Sequence, residues 1–166
     1  MTDAGSQDFD ALLQRHRGIV HKVAGSYASS REDRADLAQE IAARLWQAWP
    51  SYDPARPFAT WMYRIALNTG ISFLRGHARR QARVVPLDSC IDSLVDDTAL
   101  DPETHERIQI LERFMQAQGP LDRALLVLYL EAHSGRDIAD ILGIGESNVT
   151  TRINRLKQRL RAFVAR

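Results

Sequence analysis

Apolar residues recur every three or four positions through most of this chain, and no stretch alternates apolar with polar as a half-buried strand does. Leu37, Ile41, Leu45 and Trp49 are spaced by four, which places them on one buried stripe of a helix. Phe9, Leu12, Leu13, Ile19, Val20 and Val23 keep a helical spacing across residues 9–28, with Gly18 as a weak point. Phe58, Trp61 and Ile65 begin another stripe that passes onto Leu67, Ile71 and Leu74, and Ile108, Leu111 and Met115 begin a further one. Pro50 and Pro54 stop one helix and make the next connection a structured turn. Ser29 or Ser30 caps the helix before it, and Gly119-Pro120 and Ser134-Gly135 divide the later segments. Gly70 inside a long helical run costs ~1 kcal/mol relative to Ala, so a local bend is expected there. The first seven residues are small and polar and read as disordered. The fold class is all-α.

Charge divides the chain further. Residues 54–87 hold no Asp or Glu but carry Arg56, Arg64, Arg75, Arg79, Arg80 and Arg83. Residues 84–106 hold no Lys or Arg but carry Asp88, Asp92, Asp96, Asp97, Asp101, Glu103 and Glu106. After Glu146 every charged residue is basic, so a net charge of +1 conceals two basic blocks around an acidic one. Such fields attract polyanions to the basic blocks. Residues 84–104 also contain Pro86 and Pro102 and lack helical spacing, so they read as a flexible acidic linker. Two small helical domains, 8–83 and 105–166, flank it.

Several classes drop out. The longest apolar run, residues 124–130, is far short of the ~20 residues a bilayer span needs, and no signal segment opens the chain. A single cysteine, Cys90, excludes an internal disulfide framework and suits a reducing compartment, so the expected location is the cytoplasm. The histidines His16, His21, His77, His105 and His133 have no metal-ligand spacing, and Asp33, Asp36 and Glu40 lack a second cluster. No metal, cofactor or catalytic role is expected.

The segment GRDIADILGIGESNVTTRINRLKQRLRAFV has the pattern of a helix-turn-helix. A short helix carries Ile138, Ala139, Ile141 and Leu142, and Gly143-Ile144-Gly145 supplies glycine where a left-handed backbone is needed. In the following helix Val149, Ile153, Leu156, Leu160 and Phe163 form the buried stripe. Asn148, Arg152, Arg155 and Arg159 lie about a quarter turn away with Thr151 beside them, which suits contact with base edges in a major groove. Lys157 and Arg161 point elsewhere, toward phosphates or solvent.

Upstream, Phe58, Trp61, Tyr63 and Phe73 interleave with Arg56, Arg64, Arg75, Arg79 and Arg80. Aromatic faces stack on unpaired bases while arginines hold phosphates, so this composition suits separated strands as well as duplex. Trp61 fits core packing at least as well as base contact, whereas the Asn68 amide can read a base edge.

These residues carry a family resemblance. YDPARPFATWMYRIALN is similar to the region 2 signature of bacterial sigma factors, and DLAQEIAARLW resembles the helix of that region that docks on polymerase. DRALLVLYLEAHSGRDIADILGIGESNVTTRINRLKQRLR resembles region 4, whose helix-turn-helix reads the minus-thirty-five element. Trp61-Met62 stands where primary sigma factors have two tryptophans, and no room remains for a region 3 domain. Both departures match the extracytoplasmic-function group of the sigma-70 family.

The resemblance implies a sigma factor that binds core RNA polymerase at the clamp helices of its largest subunit and at the flap. Asp36, Leu37, Gln39 and Glu40 would dock on core. The turn at residues 51–57 would hold a flipped base, with Asp53, Arg56, Phe58, Trp61, Arg64, Asn68 and Arg75 on minus-ten DNA. Asn148, Thr151, Arg152, Arg155 and Arg159 would contact the minus-thirty-five element, although Thr150 stands where the family has a basic residue. The linker would thread the RNA-exit path, and an anti-sigma factor packing between the two lobes would be a partner. Two other classes fit parts of the sequence: a helix-turn-helix regulator that binds duplex without polymerase, and a nuclease using Asp33, Asp36 and Glu40.

Overall fold

Residues 3–81 and 101–165 are described by the structure, a computed structural model. Eight α-helices follow one another among these residues, and none of the described residues is in a strand. They are α1 (Asp3–Arg15), α2 (Arg17–Tyr27), α3 (Arg31–Ala48), α4 (Phe58–Gln81), α5 (Pro102–Gln116), α6 (Pro120–Leu130), α7 (Gly135–Leu142) and α8 (Glu146–Val164). The chain divides into two compact units, residues 1–87 and 88–166. The expected linker, including Cys90, lies outside the described residues up to position 100.

In the first unit α2, α3 and α4 pack on one another. Ile19, Val20, Val23, Ala24 and Tyr27 of α2 are buried with Leu37, Ile41 and Leu45 of α3 and with Phe58, Met62, Tyr63, Ala66 and Leu67 of α4. Burying each large aliphatic side chain contributes about 1.5–3 kcal/mol. The stripe on α4 differs from the expected one, because Met62 is fully buried while Trp61 and Ile65 are only half-buried. Gly70 does not end or interrupt α4. A Cβ there would lie 2.8 Å from the ring of buried Tyr27, so glycine lets α2 and α4 approach closely.

Helix ends follow local chemistry. The break between α1 and α2 falls at His16, whose backbone leaves the helical region (φ −110°, ψ 13°), and not at Gly18. Helix α1 begins at Asp3, so residues 3–7, read from sequence as disordered, are helical. Ser30 caps α3 by accepting a hydrogen bond from the Asp33 amide at 3.0 Å.

The second unit starts earlier than the sequence suggests, because Asp101 caps α5 and Pro102 opens it. The Thr104 hydroxyl and amide donate to the Asp101 carboxylate at 2.7 and 3.0 Å and hold its pKa below the ordinary value. Ser134 and Asp137 form a reciprocal capping box on α7, which lowers the Asp137 pKa through the Ser134 hydroxyl hydrogen bond of 2.6 Å.

Phe114, Ala124, Leu125, Leu126, Val127, Leu128, Ile138, Ile141, Val149, Ile153 and Leu156 form the core of this unit. Arg123 is buried with them, and its guanidinium donates to the Gln116 and Gln118 carbonyls at 2.6 and 3.1 Å, closing the C-terminal end of α5. Gly143 adopts the left-handed conformation (φ 66°) that ends α7, as the sequence implies. Among the described residues no helix is long and apolar enough to cross a membrane.

Candidate nucleic-acid and docking surfaces

The turn between α3 and α4 is tied down from within. The Ser51 hydroxyl donates to the Ala48 carbonyl at 2.7 Å, and the Tyr52 hydroxyl donates to the Arg56 carbonyl at 2.9 Å. Asp53 accepts the Ala55 amide at 2.9 Å through its side chain and the Arg56 amide at 3.0 Å through its carbonyl. One Asp53 oxygen is therefore spent on the turn, while the residue and Arg56 stay exposed.

Beneath the turn the Tyr52 ring stacks on Trp49 with centroids 5.2 Å apart and lies 5.1 Å from Trp61. Phe58 meets Trp61 at 5.4 Å and Trp49 at 6.3 Å. Such pairs contribute about 0.5–1.5 kcal/mol beyond their area, so the aromatic residues brace the turn. Trp49 and Tyr52 were not singled out as supports; the rigid turn required two aromatics from opposite sides of Pro50, which a stripe argument does not reveal.

Along α4, Arg64, Asn68 and Arg75 are exposed, whereas Phe58 is buried and holds the turn from behind. Asn68 borders a groove of about 420 Å³ whose other walls include Arg44, Gln47, Ile65, Thr69 and Ser72. An apolar floor edged by two amides and a guanidinium has the chemistry to hold an unpaired base. Arg44 was missed from sequence because its partner, Glu40, lies on the same helix at 2.8 Å and makes it read as a surface ion pair.

On α3, Asp36, Gln39 and Glu40 are exposed. Leu37 is fully buried on the stripe that its spacing predicts, so it is not on the surface where the resemblance puts it with Asp36, Gln39 and Glu40. Its apolar neighbour positions on α3, Ile41 and Leu45, are buried with it, so the exposed face there is polar. Among the described residues no group of three or more His, Cys, Asp or Glu is placed to hold a metal ion, and Asp33 instead faces His77 at 3.9 Å.

On α8 the stripe of Val149, Ile153 and Leu156 is buried. The face opposite it carries Thr151, Asn154, Arg155 and Gln158, all exposed, with Asn148 at its edge. Arg152 and Arg159 do not share that face. Arg152 Nη1 lies 2.7 Å from Asp122 Oδ1 of α6, and Arg159 Nη2 lies 3.3 Å from Asp122 Oδ2 and also bonds the Gln118 side-chain oxygen. Arg152 is thereby half-buried, whereas Arg159 stays on the exposed surface, its side chain 52% exposed, with its guanidinium turned toward Asp122 and Gln118. Asn154 was missed because an asparagine within a basic run carries no signal until the buried stripe fixes the opposite face.

A helix-turn-helix in one unit and an aromatic, basic helix in the other define a DNA-binding protein of transcription. The sequence matches the family description "Sigma-70 region 2" over residues 12–80 and "Sigma-70, region 4" over residues 109–160. It is 26% identical over 167 aligned positions to the ECF RNA polymerase sigma factor SigE of Mycolicibacterium smegmatis, covering 98% of this chain and 64% of that protein. It is 27% identical over 165 positions to the RNA polymerase sigma factor CnrH of Cupriavidus metallidurans, covering 94% of this chain and 86% of that one. Its fold is similar to that of the sigma factor RpoE in the co-crystal structure with the anti-sigma factor NepR from Bartonella quintana. That likeness has a TM-score of 0.77 at 20% identity and covers 96% of this chain and 98% of the other. The chain belongs to the sigma-70 family of RNA polymerase sigma factors, in the extracytoplasmic-function group.

Proposed function

We propose that this chain is a sigma subunit that joins core RNA polymerase and directs initiation at promoters with two spaced elements. The observation that carries this reading is the ordered pair of sigma regions, each ending in an exposed polar and basic surface on a stiff support. The first unit acts as the core-docking and minus-ten unit and the second, from its opening cap at Asp101, as the minus-thirty-five unit, with the segment between them as a tether. Tethering two weak readers raises the effective concentration of the second and so selects spacing.

Asp36, Gln39 and Glu40 offer acidic and amide groups to a basic surface on polymerase. Asp53 and Arg56 present the tied turn to a flipped base, Arg64 and Arg75 hold phosphates of the melted strand, and Asn68 reads a base edge. Phe58 and Trp61 act from below by fixing the turn. Asn148, Thr151, Asn154 and Arg155 meet the upstream element in the major groove. The protein works in the cytoplasm, without catalysis or cofactor of its own, and a protein inhibitor of the kind bound to the Bartonella relative regulates it.

The test mixes purified protein with bacterial core RNA polymerase and genomic DNA fragments and maps transcript starts. New starts that share two upstream elements at fixed spacing are expected. A protein that binds duplex alone and never redirects core would overturn the proposal in favour of a plain regulator.

A further inference from the structure

The recognition helix carries more positive charge than it presents. Of its cations, Arg152 and Arg159 reach back to Asp122, and Lys157 Nζ lies 4.6 Å from the centre of the Tyr129 ring. Arg155 and Arg161 remain on exposed positions pointing away from the buried stripe. Arg152 and Arg159 are seven residues apart, two turns along one side of α8, and Asp122 sits between them with one oxygen for each.

Asp122 is built to hold that position. It lies in the first turn of α6, where the helix dipole favours a carboxylate, and its side chain is only 21% exposed. Gln118 adds a second acceptor for Arg159 and is itself anchored, because it is buried and donates to the Phe114 carbonyl at 2.7 Å. A carboxylate clasped by two guanidiniums occupies the same donors that a DNA phosphate would take.

We propose that Asp122 is a specificity-determining residue that acts as an internal phosphate substitute, withdrawing Arg152 and Arg159 from the DNA backbone. Backbone contacts are sequence-independent, so diverting two of them lowers binding to any DNA while leaving Asn148, Thr151, Asn154 and Arg155 to read bases. This inference rests on the reading of α8 as the upstream-element reader.

The test uses the full chain assembled with core RNA polymerase and two duplexes, one bearing the upstream element obtained by selection and one with that element scrambled. Affinity is followed against salt. With Asp122→Asn the slope of log K against log salt should steepen by ~0.9 for each phosphate newly engaged, up to ~1.8. Binding to the scrambled duplex should tighten, so discrimination between the two falls. Asp122→Glu should keep both readouts near wild type.

The double substitution Arg152→Gln with Arg159→Gln reads the inference independently of how Asp122→Asn folds. Its slope should match wild type, because neither arginine is on a phosphate to begin with. A slope shallower by ~1.8 in that variant would mean that both arginines hold phosphates, and the proposal would be wrong. So would a steepened slope that persists when Asp122→Asn is added to the double variant. If wild type fails to distinguish the two duplexes, the assignment of α8 as reader falls, while the slopes still report whether Asp122 withholds Arg152 and Arg159 from phosphates.

Discussion

The two units solve the same problem, holding a nucleic-acid surface still, with different materials. The first uses apolar mass: three helices close over Leu37, Ile41, Leu45, Met62 and Leu67, and rings of Trp49, Tyr52, Phe58 and Trp61 brace the outward turn. The second has shorter helices and relies on polar fastenings. Asp101 and Ser134 cap α5 and α7, Arg123 closes the end of α5, and Asp122 joins α6 to α8 through Arg152 and Arg159. An irregular turn needs a broad rigid bed to keep its shape, whereas a helix keeps its pitch by its own hydrogen bonds and needs fastening only at its ends and its charges. The first unit should therefore be most sensitive to volume changes, and the second to changes of backbone conformation and charge.

The largest effect should come from Leu37→Ala. A fully buried leucine in the three-helix core should cost about 2–5 kcal/mol of stability in the first unit. Hydrogen exchange of α2–α4 amides measures it. A variant that melts like wild type yet no longer binds core polymerase would return Leu37 to the docking surface and break the contrast. A smaller loss is expected from Gly70→Ala. The new methyl must displace the Tyr27 ring from 2.8 Å, and overpacking outweighs the gain in helix propensity, for a net cost of about 1–2 kcal/mol. Stabilisation in a urea melt would refute the close-approach account of this glycine.

Much of this is legible in the sequence, and the reasons for the rest are specific. Stripes such as Leu37, Ile41 and Leu45 are visible because one helix face meets one core, and the turn at Gly143 because a left-handed residue calls for glycine. Spacing puts Leu37 on the buried stripe, and it is the family resemblance, which treats residues 36–40 as one stretch, that draws it toward docking. Spacing could not show that Met62 rather than Trp61 faces the core, because an aromatic cluster drew Trp61 to its own side. The pairings that correct the remaining expectations join distant positions. Asp122 captures Arg152 and Arg159, and the Tyr27 ring sits where a Cβ of residue 70 would be. Periodicity describes which way a side chain points along its own helix; it is silent about what waits there.

The smallest effect sharpens the contrast from the side of the second unit, at the two places where its helices end. Helix α6 finishes in paired hydrogen bonds, His133 amide to Leu128 carbonyl and Ala132 amide to Tyr129 carbonyl, both 3.1 Å. That arrangement puts Ala132 in the left-handed region at φ 59°, where its Cβ crowds the backbone. Helix α7 ends the same way, with the Ile144 amide donating to the Ala139 carbonyl at 3.1 Å, but with Gly143 in the left-handed position. Ala132→Gly should relieve the crowding and stabilise the second unit by about 0.5–1 kcal/mol, after the larger entropy of glycine in the unfolded chain is subtracted. Gly143→Ala should cost about 1 kcal/mol or more, since it creates the strain that Ala132 already carries. Slower amide exchange in α6 and α7 for Ala132→Gly, with α2–α4 unchanged, is the expected outcome. Destabilisation by Ala132→Gly would mean that the alanine methyl makes a contact outweighing its strain, and the second unit would then depend on packing as the first does.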